Sequence, residues 1–211
     1  MLLFGHLGIT LGTATLAAGV GERFRTKRAN PPLPVSGKTS GTPGWAKTIF
    51  ETVGSWFDAL GRKVDIRAVF LGSLLPDLID KPIGHGLLAG SLNNGRIFGH
   101  SLLFFLIVLL AGLLVYRRYF STFFLAVAFG VIMHLILDSM WVDPHVLFWP
   151  LYGFAFAKGP PVDFITGILQ SVRLESSYVP EIIGFIIVSV FGLWLVRKKA
   201  VVRFIRTGRV G

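Results

Sequence analysis

Histidine and aspartate residues recur at helical spacing inside long apolar stretches of this sequence. His134 and Asp138 are four positions apart, so on a helix they lie on one face, about one turn from each other. An imidazole and a carboxylate placed in this way can bind one metal ion, or they can pair with each other. The spacing predicts a metal site, with a structural His–Asp pair as the alternative.

Two further carboxylates, Asp77 and Asp80, are three positions apart and follow Pro76. Proline is favoured in the first turn of a helix, so Pro76 can open a short turn that places both carboxylates near its positive end. Adjacent carboxylates repel, and a cation between them relieves that cost. The pattern predicts that Asp77 or Asp80 bridges metals or acts as a general base; a capped helix start is the alternative.

Arg96 and His100 form a third pair with a spacing of four. An imidazole ligand beside a guanidinium suits a site that binds both metal and phosphate, and a lipid-headgroup anchor is the alternative. His6 lies early in the first apolar stretch, where it can bind metal or serve as a polar residue between helices. His85 and His145 are weaker candidates, because a solvated loop explains each of them.

The composition excludes most soluble classes of protein. Of 211 residues, 53% are apolar and only 15% are charged, and there is no cysteine. Intrinsic disorder, a disulfide framework and a thiolate metal site are therefore excluded. The length fits a single membrane domain over residues 1–211. The net charge of +10 is read as a membrane-orientation signal, and we expect no nucleic-acid partner.

Apolar stretches of about 20 residues are long enough to cross a bilayer as helices. Four stretches approach this length, and a fifth, residues 66–79, is short and is interrupted by Pro76 and Asp77. The fifth stretch can cross a thinned region or turn back, and the charge distribution favours a crossing. We predict an all-α polytopic bundle of about five spans, and we expect the first span to be retained rather than cleaved as a signal peptide. The predicted spans are residues 2–20, 66–79, 101–116, 119–141 and 179–196.

Lysine and arginine residues set the predicted orientation in the cell (inner) membrane. With the N-terminus outside and the C-terminus cytoplasmic, 16 of the 21 Lys and Arg residues fall in the inner segments, as the positive-inside rule requires. These segments include a basic loop, residues 21–65, and a basic tail, residues 197–211. Apolar residues at helical spacing predict an amphipathic interfacial helix over 45–61. Every histidine then falls at or near the outer face.

The ordered succession of these motifs resembles the YdjM-type membrane-bound metal-dependent hydrolases, also described as LexA-binding, inner-membrane-associated hydrolases. The resemblance rests on His6 and on segments 75–80, 95–101, 134–138 and 148–151. It implies a helical, zinc-dependent, phospholipase-C-like site with Asp80 in or next to the ligand shell. Many relatives carry a histidine directly after the second aspartate, where Lys81 stands here. The soluble enzymes also carry a further histidine and a HxxxE pair, which this sequence does not reproduce, so we expect one or two metals. The implied metal ligands are His6, Asp77, His100, His134 and Asp138.

The predicted function is metal-dependent hydrolysis of a phosphoester in a lipid or lipid-linked substrate. A metal lowers the pKa of its bound water toward about 7 and so supplies hydroxide at neutral pH. Arg96, with Lys81, would hold the phosphate. Nitrogen and oxygen ligands suit zinc, and also manganese or iron. Membrane lipids are the expected partners, and the oligomeric state is left unassigned. The alternatives are a proton or metal-ion transporter and a non-catalytic membrane scaffold.

Overall fold

The chain folds into helices and their connections. The computed structural model describes residues 3–29, 51–52, 54–58, 60–61, 64–159 and 175–209, and this part contains no strand, which confirms the predicted all-helical class. A π-helical turn, Ile83–Leu87, follows the second helix, and a 3₁₀ turn, Met140–Val142, follows the fourth. The α-helices are α1 Leu3–Ala29, α2 Ile66–Pro82, α3 Leu102–Tyr119, α4 Phe123–Leu137, α5 Pro144–Leu147, α6 Glu175–Arg197 and α7 Val201–Thr207.

Three of the described helices are long and apolar enough to cross a membrane: Leu3–Val20 within α1, Leu102–Tyr119, and Tyr178–Arg197 within α6. Helix α2 has 17 residues and α4 has 15, so they measure about 26 and 23 Å, less than the roughly 30 Å hydrocarbon core. The chain is thus a helical membrane protein, and the count of five spans stays a prediction.

The second helix corrects one expectation. Pro76 lies inside α2, which continues to Pro82, so Pro76 does not open a new helical turn. Asp77 and Asp80 consequently lie in the last turns of α2, away from a positive helix end. A positive helix end therefore does not stabilise the two carboxylates, and contacts with other groups do so instead.

The long helices alternate in direction, which creates two different ends of the bundle. At one end, here called the histidine end, lie His6, Asp77, His100, His134 and Asp138. At the other end, the basic end, lie Arg67, Arg117, Arg118 and Arg203. The start of α2 is tied to the C-terminal end of α7 there, because the backbone N–H of Ile66 donates to the carbonyl of Gly208 at 3.0 Å.

Helices α2 and α4 touch backbone to backbone at two glycines. A Cβ on Gly72 would collide with the carbonyl of Val127, and a Cβ on Gly130 would collide with the backbone of Ser73. Small residues allow such close approach of membrane helices. The contact brings Ser73 of α2 to His134, which lies one turn after Gly130. It therefore sets the distance between α2 and α4 at the histidine end.

The interior of the basic half is apolar. Phe57 and Leu60, from the helical segment within 51–61, are buried against Trp194 of α6 and its neighbours. This face of the segment therefore contacts protein. Contact of the predicted helix 45–61 with the leaflet stays a prediction, and Trp45, Ile49 and Val53 lie outside the described residues. The buried cluster consists of Leu11, Ala14, Phe57, Leu60, Ile66, Phe191, Trp194, Leu195 and Ala200.

Candidate metal centre

Four separate parts of the chain contribute imidazole and carboxylate groups to one point at the histidine end. Two sets of three ligand atoms form there, and within each set all atoms lie within 4.8 Å of one another. His134 belongs to both sets, so the two sets share one pocket. The first set is His6, Asp77 and His134; the second is His100, His134 and Asp138.

The distances between these atoms match the spacing of ligands around one metal ion. The Nε2 atoms of His100 and His134 are 3.1 Å apart. Oδ1 of Asp77 lies 3.6 Å from Nε2 of His100 and 3.9 Å from Nε2 of His134. Oδ2 of Asp138 lies 3.7 Å from Nε2 of His100. Bonds of about 2.0–2.1 Å in a tetrahedral zinc site place ligand atoms about 3.3 Å apart, so these atoms need little movement to bind a metal.

In His100 and His134, the ring nitrogen that faces away from the cluster, Nδ1, is fixed by a hydrogen bond. Nδ1–H of His134 donates to the carbonyl oxygen of Ser73 at 2.7 Å. Nδ1–H of His100 donates to Oδ2 of Asp80 at 2.7 Å. A carbonyl and a carboxylate only accept hydrogen bonds, so both protons must sit on Nδ1. On a neutral ring this leaves Nε2 unprotonated, oriented as in metal-binding histidines.

The two Nε2 atoms therefore face each other across 3.1 Å. Two bare lone pairs at that distance repel, so a proton or a metal ion between or beside them stabilises the pair. His100 lies outside the spanning helices, and burial alone would lower its pKa. The carboxylates of Asp138 and Asp80 outweigh burial, so the pKa of His100 lies above its usual value. The surroundings of this nitrogen thus favour positive charge.

Asp80 is buried and is saturated by donors from a distant loop. Its carboxylate accepts the backbone N–H groups of Ile97 and Gly99 at 2.8 Å and of His100 at 3.2 Å, besides the imidazole N–H. Residues 97–100 therefore wrap around Asp80. Arg96 and His100 do not share a helix face, so the helical interpretation of their spacing was wrong. Asp80 holds His100 in place while Asp77, three positions earlier, faces the other ligands.

His6 is fully buried, and its ring stacks on His134 with centroids 4.1 Å apart. Its Nε2 lies 3.2 Å from Oδ1 of Asp138, and Nδ1 has no hydrogen-bond partner among the described residues. The hydroxyl of Thr10, one turn along α1, is also buried without a partner in that part of the chain. Buried polar atoms are normally satisfied, so these orphans point to a ligand or water that belongs there.

Two cations lie at the rim of the cluster. Nε and Nη2 of Arg96 donate to Oδ2 of Asp138 at 3.1 and 2.8 Å, and the Arg96 side chain is 46% exposed. Nζ of Lys81 donates to Oδ2 of Asp77 at 2.6 Å. Each cation thus contacts a ligand carboxylate on one side and solvent on the other. An anionic substrate that approached the cluster from solvent would meet both.

Glu181 is a functional candidate that sequence reasoning missed. This residue near the start of α6 accepts the backbone N–H groups of Phe4 and Gly5, each at 3.0 Å. It therefore caps α1 immediately before His6 and fixes the position of the His6 ring along the bundle axis. The close approach of Gly8 and Gly184 aligns the same two helices. In the sequence, Glu181 is a single acidic residue just inside a predicted apolar span, and this position could have identified it as a candidate.

We expect Glu181→Gln to weaken metal binding about tenfold, because residues that position metal ligands typically contribute 10–100-fold to affinity. The glutamine keeps one acceptor but loses the charge and one of the two hydrogen bonds. Competition with a chromophoric zinc chelator measures the affinity. Glu51→Gln, the same change at an exposed position, is the matched control. Equal affinity in both variants would contradict the role assigned to Glu181.

His85 and His145 lie outside both ligand sets. Nδ1 of His85 lies 3.0 Å from Oδ1 of Asn93, and the ring of His145 contacts Tyr152 with centroids 5.7 Å apart. Both contacts are local, within the connections between helices. They favour a structural role for these two residues.

In a comparison with protein families, the chain matches the family described as YdjM inner membrane protein over residues 1–205. Comparisons with curated proteins and with solved structures find no match. The family match extends over nearly the whole chain, including every residue of the cluster. It confirms the resemblance drawn from the motifs: the chain belongs to the YdjM inner membrane protein family.

Proposed function

We propose that this protein is a membrane-embedded, metal-dependent hydrolase that cleaves a phosphoester of a lipid or lipid-linked substrate. The observation that carries the proposal is the pair of Nε2 atoms of His100 and His134, which face each other 3.1 Å apart and are surrounded by His6, Asp77 and Asp138. Neutral imidazoles fixed in this way are ligands for a divalent cation. Zinc suits the donors best, and manganese or iron also fit them.

The shared histidine favours one metal ion over two. Nδ1 of His134 is occupied by the Ser73 carbonyl, so only Nε2 can bind a metal, and one nitrogen lone pair binds one ion. His6, Asp77, His100 and Asp138 can then complete the shell of that ion. A bound divalent metal would supply Lewis acidity and ionise a water molecule near neutral pH.

The other polar residues at the cluster have separate roles in the proposed reaction. Asp77 presents Oδ1 to the cluster as a metal ligand in this proposal, and Lys81 holds its Oδ2. Asp80 positions His100 and has no free face for proton transfer. Arg96 and Lys81 bind the phosphate oxygens, and Arg96 also stabilises the charge that develops in the transition state.

A lipid substrate is supported by the apolar surface beside the cluster. After Asp138 the chain exposes Trp141, Leu151 and Phe154, with 61%, 85% and 80% of their surfaces accessible. Exposed aromatic and aliphatic side chains at the end of a helical bundle suit the interface between lipid and water. A phosphate bound beside Arg96 would then lie near headgroup depth, with its acyl chains along this surface.

Transport is less well supported, because the described helices carry no ionisable side chain between the histidine end and the basic end. Below the cluster, the interface of α2 and α4 includes Ala68, Val69, Val127 and Val131, all buried. A path for protons or metal ions needs polar groups near the midplane or on both sides. In this proposal the histidine end faces outward and the basic end faces the cytoplasm, as the positive-inside rule predicts.

The direct test is hydrolysis by the purified, metal-loaded protein on a panel of phospholipids and lipid phosphates. We expect Arg96→Gln to lower kcat/KM about 100-fold, the effect of removing one donor to a developing charge. Metal content, measured in parallel, separates this effect from loss of the site. Arg118→Gln at the basic end is the control and should retain full activity. Failure of the metal-loaded protein to hydrolyse any member of the panel would refute the proposed activity.

A further inference from the structure

A cavity of about 720 Å³ opens at the basic end, on the opposite side of the bundle from the metal cluster. We propose that it binds the phosphate group of an anionic membrane lipid. Its walls come from the turn between α3 and α4 and from the C-terminal end of α7. The lining residues are Asp65, Phe120, Ser121, Thr122, Phe123, Arg203, Thr207 and Arg209.

The charges of this cavity are unbalanced toward positive. Asp65 supplies the carboxylate among the lining residues, but Arg67 already binds it through Nε at 3.1 Å and Nη2 at 2.8 Å. Arg203 and Arg209 make no ion pair within the residues that the structure describes. Two unpaired guanidinium groups on one cavity repel each other, and a bound phosphate would relieve that cost.

The wall that carries these arginines is held in place. Nη1 of Arg67 donates to the carbonyl of Ile205 at 2.9 Å, which ties α7 to the start of α2. The Thr207 hydroxyl donates to the carbonyl of Arg203 at 2.8 Å and accepts the backbone N–H of Arg209 at 3.3 Å. Both arginines therefore begin from fixed backbone positions on the same side of the cavity.

The opposite wall indicates a lipid rather than a free phosphate. Ser121 and Thr122 supply hydroxyls where α4 begins, and Phe120 beside them is 81% exposed. Phe120 follows Tyr119, the last residue of the apolar helix α3. A phosphate bound by the arginines and hydroxyls thus lies next to an apolar surface that continues along a membrane helix. Anionic headgroups attract Arg and Lys near the membrane by about fivefold per residue.

The experiment measures lipid binding by the full-length protein in detergent, with native mass spectrometry and a titration of short-chain phosphatidylglycerol. We expect Arg203→Gln and Arg209→Gln each to bind about fivefold more weakly, and the double variant about 30-fold more weakly, since the two contributions multiply. Arg206→Gln is the matched control, because Arg206 lies on the same helix but does not line the cavity. Thermal unfolding of each variant, measured in parallel, verifies that it is folded.

Three results would overturn the proposal. The first is equal weakening by Arg206→Gln, which would show general attraction to a basic surface. The second is equally tight binding of phosphatidylcholine, whose headgroup carries no net charge. The third is saturation by inorganic phosphate at the same concentrations, which would exclude the lipid as the specific ligand. The metal cluster lies at the other end of the bundle, so these results do not depend on the proposed hydrolysis.

Discussion

Asp138→Asn is expected to lower metal affinity at least 100-fold and to abolish hydrolysis. Asp138 contacts His6 through Oδ1 at 3.2 Å and Arg96 through Oδ2 at 2.8 Å, and its side chain is only 5% exposed. The amide has the same shape but carries no charge for a cation. Apparent binding energies of about 10–16 kcal/mol for four-ligand zinc sites correspond to several kcal/mol per ligand, which gives the expected loss.

The control for this variant is Asp143→Asn, which makes the same change in the connection that follows the 3₁₀ turn, outside both ligand sets. Metal content is measured by plasma mass spectrometry after reconstitution with zinc, and activity is measured on the same samples. Full metal content in Asp138→Asn would remove Asp138 from the ligand shell. Equal losses in both variants would indicate a general effect of the substitution on folding.

Asp80→Ala is expected to have the largest effect on stability, about 4 kcal/mol or more of the free energy of unfolding. Its removal leaves the buried N–H groups of Ile97, Gly99 and His100, and the His100 imidazole N–H, without their acceptor. Each unsatisfied buried donor costs about 1–3 kcal/mol. The loop that carries His100 would lose its fixed conformation, so metal affinity should fall as well.

Thermal or denaturant unfolding of the purified protein measures this effect. Asp58→Asn is the control, because Asp58 makes a partly exposed ion pair with Lys198 at 3.5 Å, and such pairs contribute about 0–1 kcal/mol. Asp80→Asn should lie between the two, since the amide retains one acceptor. A stability for Asp80→Ala equal to that of Asp58→Asn would contradict the anchoring role.

The sequence predicted the contact between His134 and Asp138, because both residues lie on one helix. The i, i+4 spacing of His134 and Asp138 survives at the end of α4, where the backbone N–H of Asp138 still bonds the carbonyl of His134 at 2.9 Å. The scarcity of charge in apolar stretches indicated that the remaining ionisable groups served a site. The imbalance of Lys and Arg predicts that the histidine end faces outward, and that orientation stays a prediction.

The roles of individual residues depend on contacts between distant segments, which spacing does not encode. Asp77 and Asp80 are the same residue type on one helix, yet Asp77 faces the cluster and Asp80 faces the loop 97–100. Arg96 pairs with Asp138 and not, as expected from a helix, with His100. The reason is that the backbone of residues 97–100 donates to Asp80 and is not helical. The Ser73 carbonyl is a backbone group, so no side chain could reveal its bond with His134.

The continuity of α2 through Pro76 was also not predictable from the local sequence. The short second stretch was correctly identified as unusual, but the proline that seemed to interrupt it lies within a continuous helix. Packing of α2 against α4 at Gly72 and Gly130 stabilises that helix from outside, and tertiary contacts of this kind override local propensity.

The central claim is that His6, Asp77, His100, His134 and Asp138 bind one metal ion. X-ray absorption at the metal edge, on the full-length protein with its metal content quantified, tests this claim most directly. We predict about one divalent ion per chain, with a histidine-rich shell of nitrogen and oxygen atoms at about 2.0–2.2 Å. A protein that binds neither zinc, manganese nor iron on reconstitution, and whose thermal stability is the same with and without a chelator, would contradict it.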